Sequence, residues 1–249
     1  MTNKEKMIEA FNKVKSLGWI KSHRRNNTGI GKTFEDCVGV VENNLNEPDL
    51  HGFEIKAHRS ESASYVTLFT KSPSYPKRGA NAYLKDKFGE YYEESNLKKL
   101  HTSMFADDFN SYAGKYSFRL MHQPDEERIY IVVFSIGGNE LLDKTVYYTY
   151  SDIERALSKK LHSLFYVTAQ KKTDADGEEL FYFDSAEVYT SPSLTKFLEM
   201  LDKGEIRYDI RMGTYNSGEK YGKPHDHGGG FRIKESNLCK LYSTKEVVG

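Results

Sequence analysis

The sequence predicts an α/β (α+β) fold in which a central mixed β-sheet is flanked by helices. Apolar residues recur at helical spacing near the start of the chain, and later segments alternate aromatic with polar residues as strands do. The 249 residues include 18 Tyr and 14 Phe, many of them in such alternating segments. Helices and strands mix without strict alternation, which indicates a mixed sheet. A chain of this length can form one large domain or two lobes.

The first part of the chain is predicted to form two helices and two strands. Helical spacing runs from Asn3 to Leu17, and it resumes after Thr33, which we expect near an N-cap. The residues of that second helical stripe are Phe34, Cys37, Val38, Val41 and Leu45. The segments GFEIKAH and SYVTLFTK then alternate as two strands joined by a polar turn. The next segment, NAYLKDKFGEYYEESNLKKL, has no clear pattern.

The remaining elements follow from alternation, turn residues and caps. A strand pair is predicted around QPDEE, then a short strand VYYTY, a helix SDIERALSKKL, and a hairpin that turns at TDADGE between SLFYVTAQKK and ELFYFDSAEVYT. A capped helix, SPSLTKFLEMLDKG, ends at a glycine. The last predicted strands bracket a glycine-rich loop in IRYDIRMGTYNSGEKYGKPHDHGGGFRIK.

Composition limits the classes of partner. Thirty-six basic and 36 acidic residues cancel, so any affinity for nucleic acid must come from local patches. The two cysteines, Cys37 and Cys239, lie far apart, which favours a reduced interior over a disulfide framework. No segment has the length and apolarity of a signal peptide or a membrane span. We therefore expect a cytoplasmic protein without a membrane partner.

The segment TGIGKTFED, residues 28–36, contains the Gly-Lys-Thr of a phosphate-binding loop. That motif needs another glycine five positions before Gly31, where the chain has Asn26. The preceding residues, IKSHRRNN, also lack the character of a buried strand. We interpret the segment as the entry to a helix. Glu35 lies beside the apolar stripe of that helix, from which its carboxylate can reach toward a neighbouring strand.

The segment PDLHGFEIKA carries the most specific arrangement of charged residues. On a strand, Glu54 and Lys56 point to one face while Phe53 and Ile55 point to the other, as in many exposed strands. Asp49, just upstream, adds a second carboxylate within reach of the same cation. Mg²⁺ prefers oxygen ligands, and hydrolysis of a phosphodiester needs a metal that activates water beside a nearby cation. Lys56 is suited to orient or deprotonate that water.

The string PD…FEIK resembles the motif of PD-(D/E)XK nucleases. The upstream GIGKTFE, the four residues between Asp49 and Glu54, and the C-terminal HDHGGGFRIK resemble the MutH-like branch that includes the MvaI/BcnI restriction endonucleases. The resemblance implies a restriction-endonuclease-like core and a DNA-recognition lobe that forms a cleft. The catalytic residues that it implies are Glu35, Asp49, Glu54 and Lys56. The metal ligands that it implies are Asp49, Glu54, the backbone carbonyl of Ile55, and Glu35.

The same resemblance implies the activity and its requirements. It indicates a monomeric type II restriction endonuclease that cuts double-stranded DNA at CCWGG, one strand at a time, in a bacterial cytoplasm. Mg²⁺ is the expected cofactor, with Mn²⁺ able to substitute and Ca²⁺ supporting binding without cleavage. A cognate DNA methyltransferase is the expected functional partner, without a stable complex. The catalytic lobe is expected mainly in residues 1–90 with parts of 115–170, and the recognition lobe in 171–249.

Base recognition requires donors and acceptors delivered on strands or loops. The richest polar cluster, in which we expect base readout, comprises Arg207, Asp209, Arg211, His225, Asp226, His227 and Arg232. The glycines of KPHDHGGG are expected to let the backbone approach bases closely. Two interpretations stay open for the His-Asp-His segment: a zinc site, which normally needs three or four protein ligands, and a mobile structural loop.

Phosphate contacts are expected from basic residues outside that cluster, for which an ordinary solvated surface is the alternative. They are Arg24, Arg25, Lys32, Arg59, Lys71 and Lys223.

Two alternative functions share this fold. A MutH-like nicking enzyme would depend on partner proteins, whereas a self-sufficient enzyme linearises plasmid alone. A catalytically inactive DNA-binding module has no chemical need for all four of the catalytic residues, so their presence argues against it.

Overall fold

The computed structural model describes residues 1–26, 28–40, 48–60, 65–93 and 95–248. In this part of the chain the α-helices are α1 (Asn3–Ser16), α2 (Gly29–Cys37), α3 (Ala80–Phe88), α4 (Tyr150–Lys160), α5 (Leu194–Asp202) and α6 (Leu238–Leu241). The strands are β1 (Ile20–Lys21), β2 (Glu54–Arg59), β3 (Tyr65–Thr70), β4 (Glu90–Tyr91), β5 (Lys98–Met104), β6 (Tyr116–Gln123), β7 (Arg128–Ser135), β8 (Leu141–Thr149), β9 (Ser163–Thr173), β10 (Glu179–Pro192), β11 (Ile206–Thr214), β12 (Pro224–Asp226), β13 (Gly230–Lys234) and β14 (Tyr242–Val248).

The chain divides into two compact units. Unit 1 comprises Met1–Ser64, Leu157–Ser193 and Cys239–Gly249, and unit 2 comprises Tyr65–Ala156 and Leu194–Leu238. These boundaries differ from those of the predicted lobes, because the segment that carries β10 belongs to unit 1. Which unit performs which role stays a prediction.

The sheet of unit 1 has the strand order β1-β10-β9-β2, and β14 also pairs with β10. The predicted hairpin of β9 and β10 is confirmed as an antiparallel pair. β2 pairs in parallel with β9, so the sheet is mixed, as the sequence predicts. The strands predicted in GFEIKAH and SYVTLFTK are confirmed, and they lie in different sheets: β2 pairs with β9 and β3 with β13.

Two helices bury their apolar stripes against this sheet. Met7, Phe11 and Val14 of α1 and Ile30 and Phe34 of α2 are almost fully buried. They share one core with the buried side chains of β2, β9 and β10, and α2 lies against β2. The predicted helical stripes are therefore confirmed within the described residues, while Val41 and Leu45 lie outside them.

The start of α2 differs from the prediction. The helix begins at Gly29, so Thr33 is inside it rather than near its N-cap. The Thr33 hydroxyl donates to the Gly29 carbonyl at 2.7 Å and accepts from the His23 backbone amide at 2.9 Å. A Cβ at Gly29 would lie 2.2 Å from the Arg24 carbonyl oxygen. Glycine at this position therefore allows the preceding segment to pack closely against the start of the helix.

Unit 2 contains two sheets. One has the order β3-β13-β11-β5-β4, with β12 paired to β11, and the other has the order β6-β7-β8. The strand pair predicted around QPDEE is confirmed by β6 and β7. The segment without a clear pattern forms α3, β4 and the start of β5. Among the described residues, no helix is both long enough and apolar enough to cross a membrane.

A buried carboxylate joins α3 to β8 in unit 2. The side chain of Asp143 is 2% exposed and accepts hydrogen bonds from Tyr83 at 2.5 Å and Lys87 at 2.6 Å. Burial alone would raise its pKa, but bonds from Lys87, Tyr83 and the Thr145 amide together lower it. The carboxylate is therefore most favourable to the fold in its charged form.

We predict that Asp143→Ala lowers the free energy of unfolding by about 2 kcal/mol at neutral pH, because it leaves Tyr83 and Lys87 without their acceptor. Since the pKa of Asp143 is lowered by folding, the difference from the wild type should shrink as the pH falls below about 4. Urea unfolding at pH 7 and at about pH 3 measures both effects. Asp125→Ala, at an exposed position in unit 2, is the control; an equal loss in both variants would contradict the prediction.

Candidate active site

β2 presents its charged residues on one face and its apolar residues on the other, as predicted. Phe53, just before the strand, and Ile55 are 6% and 4% exposed in the core of unit 1. On the opposite face, the Lys56 Nζ donates to the Glu54 Oε1 at 3.0 Å. The core therefore fixes the orientation of both charged side chains.

Asp49 is held at the start of β2 by a backbone contact. Its Oδ2 accepts from the Ile55 amide at 2.7 Å. A tight turn brings it there, with His51 at φ +50° and Gly52 at φ +82°. Desolvation of the carboxylate raises the pKa of Asp49, the Ile55 hydrogen bond lowers it, and the negative charge of Glu54 raises it further, so the net direction is upward. Asp49 and Glu54 are thus close enough to repel.

This pair of acids has the character of a cation site. Glu54 is 9% exposed, and its Oε2 is buried without a hydrogen-bond partner in the described part of the chain. A divalent cation would satisfy that oxygen and relieve the repulsion between the two carboxylates. The described residues contain no group of three His, Cys, Asp or Glu side chains close enough to hold a metal alone. Backbone carbonyls and water would therefore have to complete the coordination.

Glu35, the third predicted acid, lies half-buried in the last turn of α2. Its helix packs against β2, and its backbone carbonyl accepts from the Val40 amide at 2.8 Å. The prediction that its carboxylate joins Asp49 and Glu54 at the metal stays a prediction.

Two residues near this site were not among the predicted catalytic residues. Tyr242 of β14 is buried, and burial together with the charge of Glu54 raises the pKa of its hydroxyl. His58 lies on the same face of β2 as Glu54 and Lys56; its ring stacks on Tyr166 at 4.6 Å. Both contacts come from distant parts of the chain, so local patterns do not reveal them.

The residues predicted to contact phosphate differ in their surroundings. Several already have a carboxylate partner: Lys32 pairs with Asp36 at 2.8 Å, Lys71 with Asp152 at 3.2 Å, Arg59 with Glu179 at 3.4 Å, and Arg25 with Glu178 at 4.0 Å. Arg24 and Lys223 are exposed. Arg59 also lies over the Phe181 ring, on the core side of β2, so His58 rather than Arg59 shares the face of Lys56.

In unit 2, a buried carboxylate holds two of the predicted base-reading arginines. Asp209 is 6% exposed, and its carboxylate forms ion pairs with the Arg207 Nε at 3.1 Å and the Arg232 Nε at 3.0 Å. Arg207 and Arg232 are cross-strand neighbours, and the Arg207 guanidinium lies 3.7 Å from the centre of the Tyr65 ring. Asp209 therefore acts as a support for the two guanidinium groups.

His225 and His227 lie beside Arg211 on the same face of this sheet. The ring of His225 is 4.0 Å from that of His227 and stacks on Tyr215 at 4.2 Å, and the His227 amide donates to the Arg211 carbonyl at 3.1 Å. His101, the cross-strand neighbour of Arg211, has its pKa lowered by burial and then by nearby cations. Tyr215 and His101 were not among the predicted residues, because the pairing of β5 with β11 is not visible in the sequence.

Asp226 does not share the face of the two histidines. Its cross-strand neighbour is Met212, and its side chain accepts hydrogen bonds from Asn81 at 3.2 Å and from the Gly228 amide at 2.8 Å. The described residues supply no cluster of metal-binding side chains around the His-Asp-His segment, so the zinc interpretation finds no support there.

Comparison with known proteins gives a family assignment. The model of the MvaI/BcnI restriction endonuclease family matches residues 8–242. The chain belongs to this family. It is therefore a type II restriction endonuclease, a site-specific deoxyribonuclease with the restriction-endonuclease-like fold, and the predicted family, fold class and enzyme class are confirmed. Its substrate is DNA, and enzymes of this kind use divalent metal ions.

Two solved structures resemble the chain. The first is described as a restriction endonuclease MvaI–cognate DNA substrate complex; the identity is 33%, the TM-score is 0.87, and the match covers 98% of this chain and 97% of the other. The second is restriction endonuclease MvaI in the absence of DNA, with 32% identity, a TM-score of 0.66, and coverage of 100% and 98%. Comparison with curated protein sequences finds no match.

The glycine run of this endonuclease, residues 228–230, packs against the protein itself. A Cβ at Gly229 would lie 1.7 Å from the Tyr208 hydroxyl, and Gly228 has φ +77°. Tyr208 is fully buried and accepts a hydrogen bond from Tyr148 at 2.8 Å. Glycine at position 229 therefore lets the backbone pack closely against the core. The role expected for the glycines of this run was a close approach of the backbone to DNA bases.

We predict that Gly229→Ala destabilises the protein by about 2 kcal/mol, because the added methyl group overlaps the Tyr208 hydroxyl. Thermal or urea unfolding measures the change. Gly230→Ala is the matched control, since the nearest atom to a Cβ there would be the Phe69 carbonyl oxygen at 3.4 Å. Equal stability of Gly229→Ala and Gly230→Ala would show that the strand shifts without cost.

Proposed function

We propose that this endonuclease uses Mg²⁺ to hydrolyse double-stranded DNA at CCWGG, one strand at a time, and acts as a monomer. The metal proposal rests on the two carboxylate oxygens of Glu54. One of them contacts Lys56; the other is buried without a partner among the described residues, and the carboxylate lies close to that of Asp49. An arrangement of two repelling acids beside one ammonium fits a hard cation and a phosphate.

The residues that would hold Mg²⁺ are Asp49 and Glu54, with the Ile55 backbone carbonyl and Glu35 as further ligands. When bound, the ion polarises the phosphate and lowers the pKa of a coordinated water. The Ile55 amide fixes Asp49, and the buried side chains of Phe53 and Ile55 fix the direction of Glu54. The two acids therefore need little rearrangement to act together.

Lys56 is the residue that would act on the attacking water. Its side chain is 21% exposed and its ammonium lies 3.0 Å from Glu54, so it is oriented but still reachable. In this position it orients or deprotonates the water and offsets the charge that develops on the phosphate. The intact geometry of Lys56 and Glu54 favours an active enzyme over an inactive DNA-binding module.

The proposed site CCWGG contains two G·C pairs on each side of one A·T pair. Guanine presents two acceptors in the major groove, which suit arginine forks. Arg207 and Arg232, supported by Asp209, and Arg211 beside His225 offer donors of this kind. We further propose that the enzyme acts in a bacterial cytoplasm, that Mn²⁺ replaces Mg²⁺, that Ca²⁺ supports binding alone, and that a cognate DNA methyltransferase is its functional partner.

The deciding experiment is incubation of the purified protein with plasmid and Mg²⁺, followed by sequencing of the fragment ends. We predict linear products cut at CCWGG without any partner protein, whereas Asp49→Ala and Glu54→Ala abolish cleavage because the cation loses a ligand. Both variants should retain specific binding in Ca²⁺, measured by gel shift. Glu246→Gln, at an exposed position of β14 in unit 1, is the control.

Cleavage by Asp49→Ala or Glu54→Ala at the wild-type rate in Mg²⁺ would remove the metal assignment. Nicked plasmid that is never linearised, or cleavage only with added proteins, would favour the MutH-like alternative. Ends at another sequence would overturn CCWGG and leave the metal chemistry intact.

We predict that Arg207→Ala or His225→Ala weakens discrimination against sites with one changed base pair by about 1–3 kcal/mol at the positions that each residue reads. Competition cleavage of CCWGG and its single-pair variants measures this. Lys223→Ala is the contrasting variant: loss of a phosphate contact should weaken the binding of all DNA sequences alike and reduce the salt dependence of that binding. Unchanged discrimination in both readout variants would remove them from base recognition.

A further inference from the structure

The strand β12 is short; it carries His225, and His227 follows directly after its end. It consists of Pro224–Asp226 and pairs with β11 through only three residue pairs. His225 faces the same side as Gly213 and Arg211, whereas Asp226, opposite Met212, faces the other side. Few backbone contacts hold such a strand, so a side-chain contact made on the side opposite to His225 has a large share in fixing its position.

That contact is made by Asn81. This residue lies in the first turn of α3 and is 3% exposed. Its Nδ2 donates to the Asp226 Oδ2 at 3.2 Å, and its Oδ1 is buried without a hydrogen-bond partner among the described residues. A buried amide with one unsatisfied oxygen costs stability, so its hydrogen bond to Asp226 has to serve a specific purpose.

Both oxygens of Asp226 are engaged within the protein. One accepts from Asn81, and the other accepts from the Gly228 amide at 2.8 Å, which tightens the turn into the glycine run. A carboxylate that reads cytosine must direct an acceptor oxygen toward the groove. The histidines, by contrast, lie on the face of Arg211, with the His227 amide bonded to the Arg211 carbonyl.

We infer that Asn81 and Asp226 form a positioning pair that sets the place of His225 and His227, and that Asn81 thereby determines sequence discrimination without touching DNA. The inference rests on the proposed role of the two histidines in base readout. It reassigns Asp226 from a base contact to an anchor of the strand. Loss of the anchor displaces both histidines together, and a displacement of about 1 Å is sufficient to weaken recognition strongly.

The test is a double-variant cycle with Asn81→Leu, Asp226→Ala and the two combined. Each single variant should reduce the ratio of cleavage at CCWGG to cleavage at single-pair variants by about tenfold, at every position where His225→Ala or His227→Ala does so. The combined variant should lose no more than either single one, because both break one contact. Asp226→Asn keeps one oxygen as acceptor for the Gly228 amide, and its amide nitrogen can donate to the unsatisfied Asn81 Oδ1 once the Asn81 amide flips, so it should retain discrimination within about threefold.

Asn12→Leu, on the exposed side of α1, is the matched control for the asparagine change, and melting temperatures verify folding. Asp226 is exposed, so Asp226→Ala provides a folded test even where Asn81→Leu does not fold. Additive losses, or a change in Asp226→Asn confined to one base pair, would overturn the inference in favour of direct readout. If His225→Ala loses discrimination and Asp226→Ala does not, the inference about the positioning pair is also overturned, whereas the proposed base readout still stands. Unchanged discrimination in all these variants, including His225→Ala, would overturn the proposed readout itself.

Discussion

The parallel pairing of β2 with β9 is the constraint on which unit 1 depends. It places Glu54 opposite Leu164 and Lys56 opposite Tyr166, at the end of the long β9–β10 hairpin that lies away from its turn. Because β2 cannot rotate without exposing Phe53 and Ile55, its charged residues keep one face. The chemistry proposed for this face therefore depends on hydrophobic burial on the opposite side of the same strand.

Unit 2 has a comparable arrangement, in which contacts within the protein hold the polar side chains in place. Asp209 is buried between two arginines, and Asp226 is tied to a buried amide. Each carboxylate is bound by groups of the protein itself. The base readout proposed for this unit is thus left to the donors of the neighbouring arginine and histidine side chains. A buried acid of this kind is expensive to desolvate, and its hydrogen bonds and ion pairs offset that cost.

Local chemistry explains how far the sequence alone could predict the fold and the site. The alternation in FEIK predicts which of its side chains face the hydrophobic core, and helical spacing predicts α1 and the stripe of α2. Pairing across long stretches of chain has no local signal, so the partnership of β2 with β9 and the electrostatic influence of Glu54 on the pKa of Tyr242 were not predicted. Asp226 was grouped with its neighbouring histidines because they adjoin in sequence, although adjacent residues of a strand face opposite sides.

Residues 225–229 differ in the contacts that they make, and this difference affects how such an enzyme can acquire a new target sequence. Side chains at 225 and 227 lie on the face of Arg211 and not on that of the Asn81 contact, so variation there leaves that contact in place. Positions 226, 228 and 229 are tied to Asn81, to a left-handed conformation and to Tyr208, and they admit little variation. If the two histidines read bases as proposed, evolution of specificity in this segment is confined to alternate positions, and a library built for redesign gains most by sampling those two and leaving the rest unchanged.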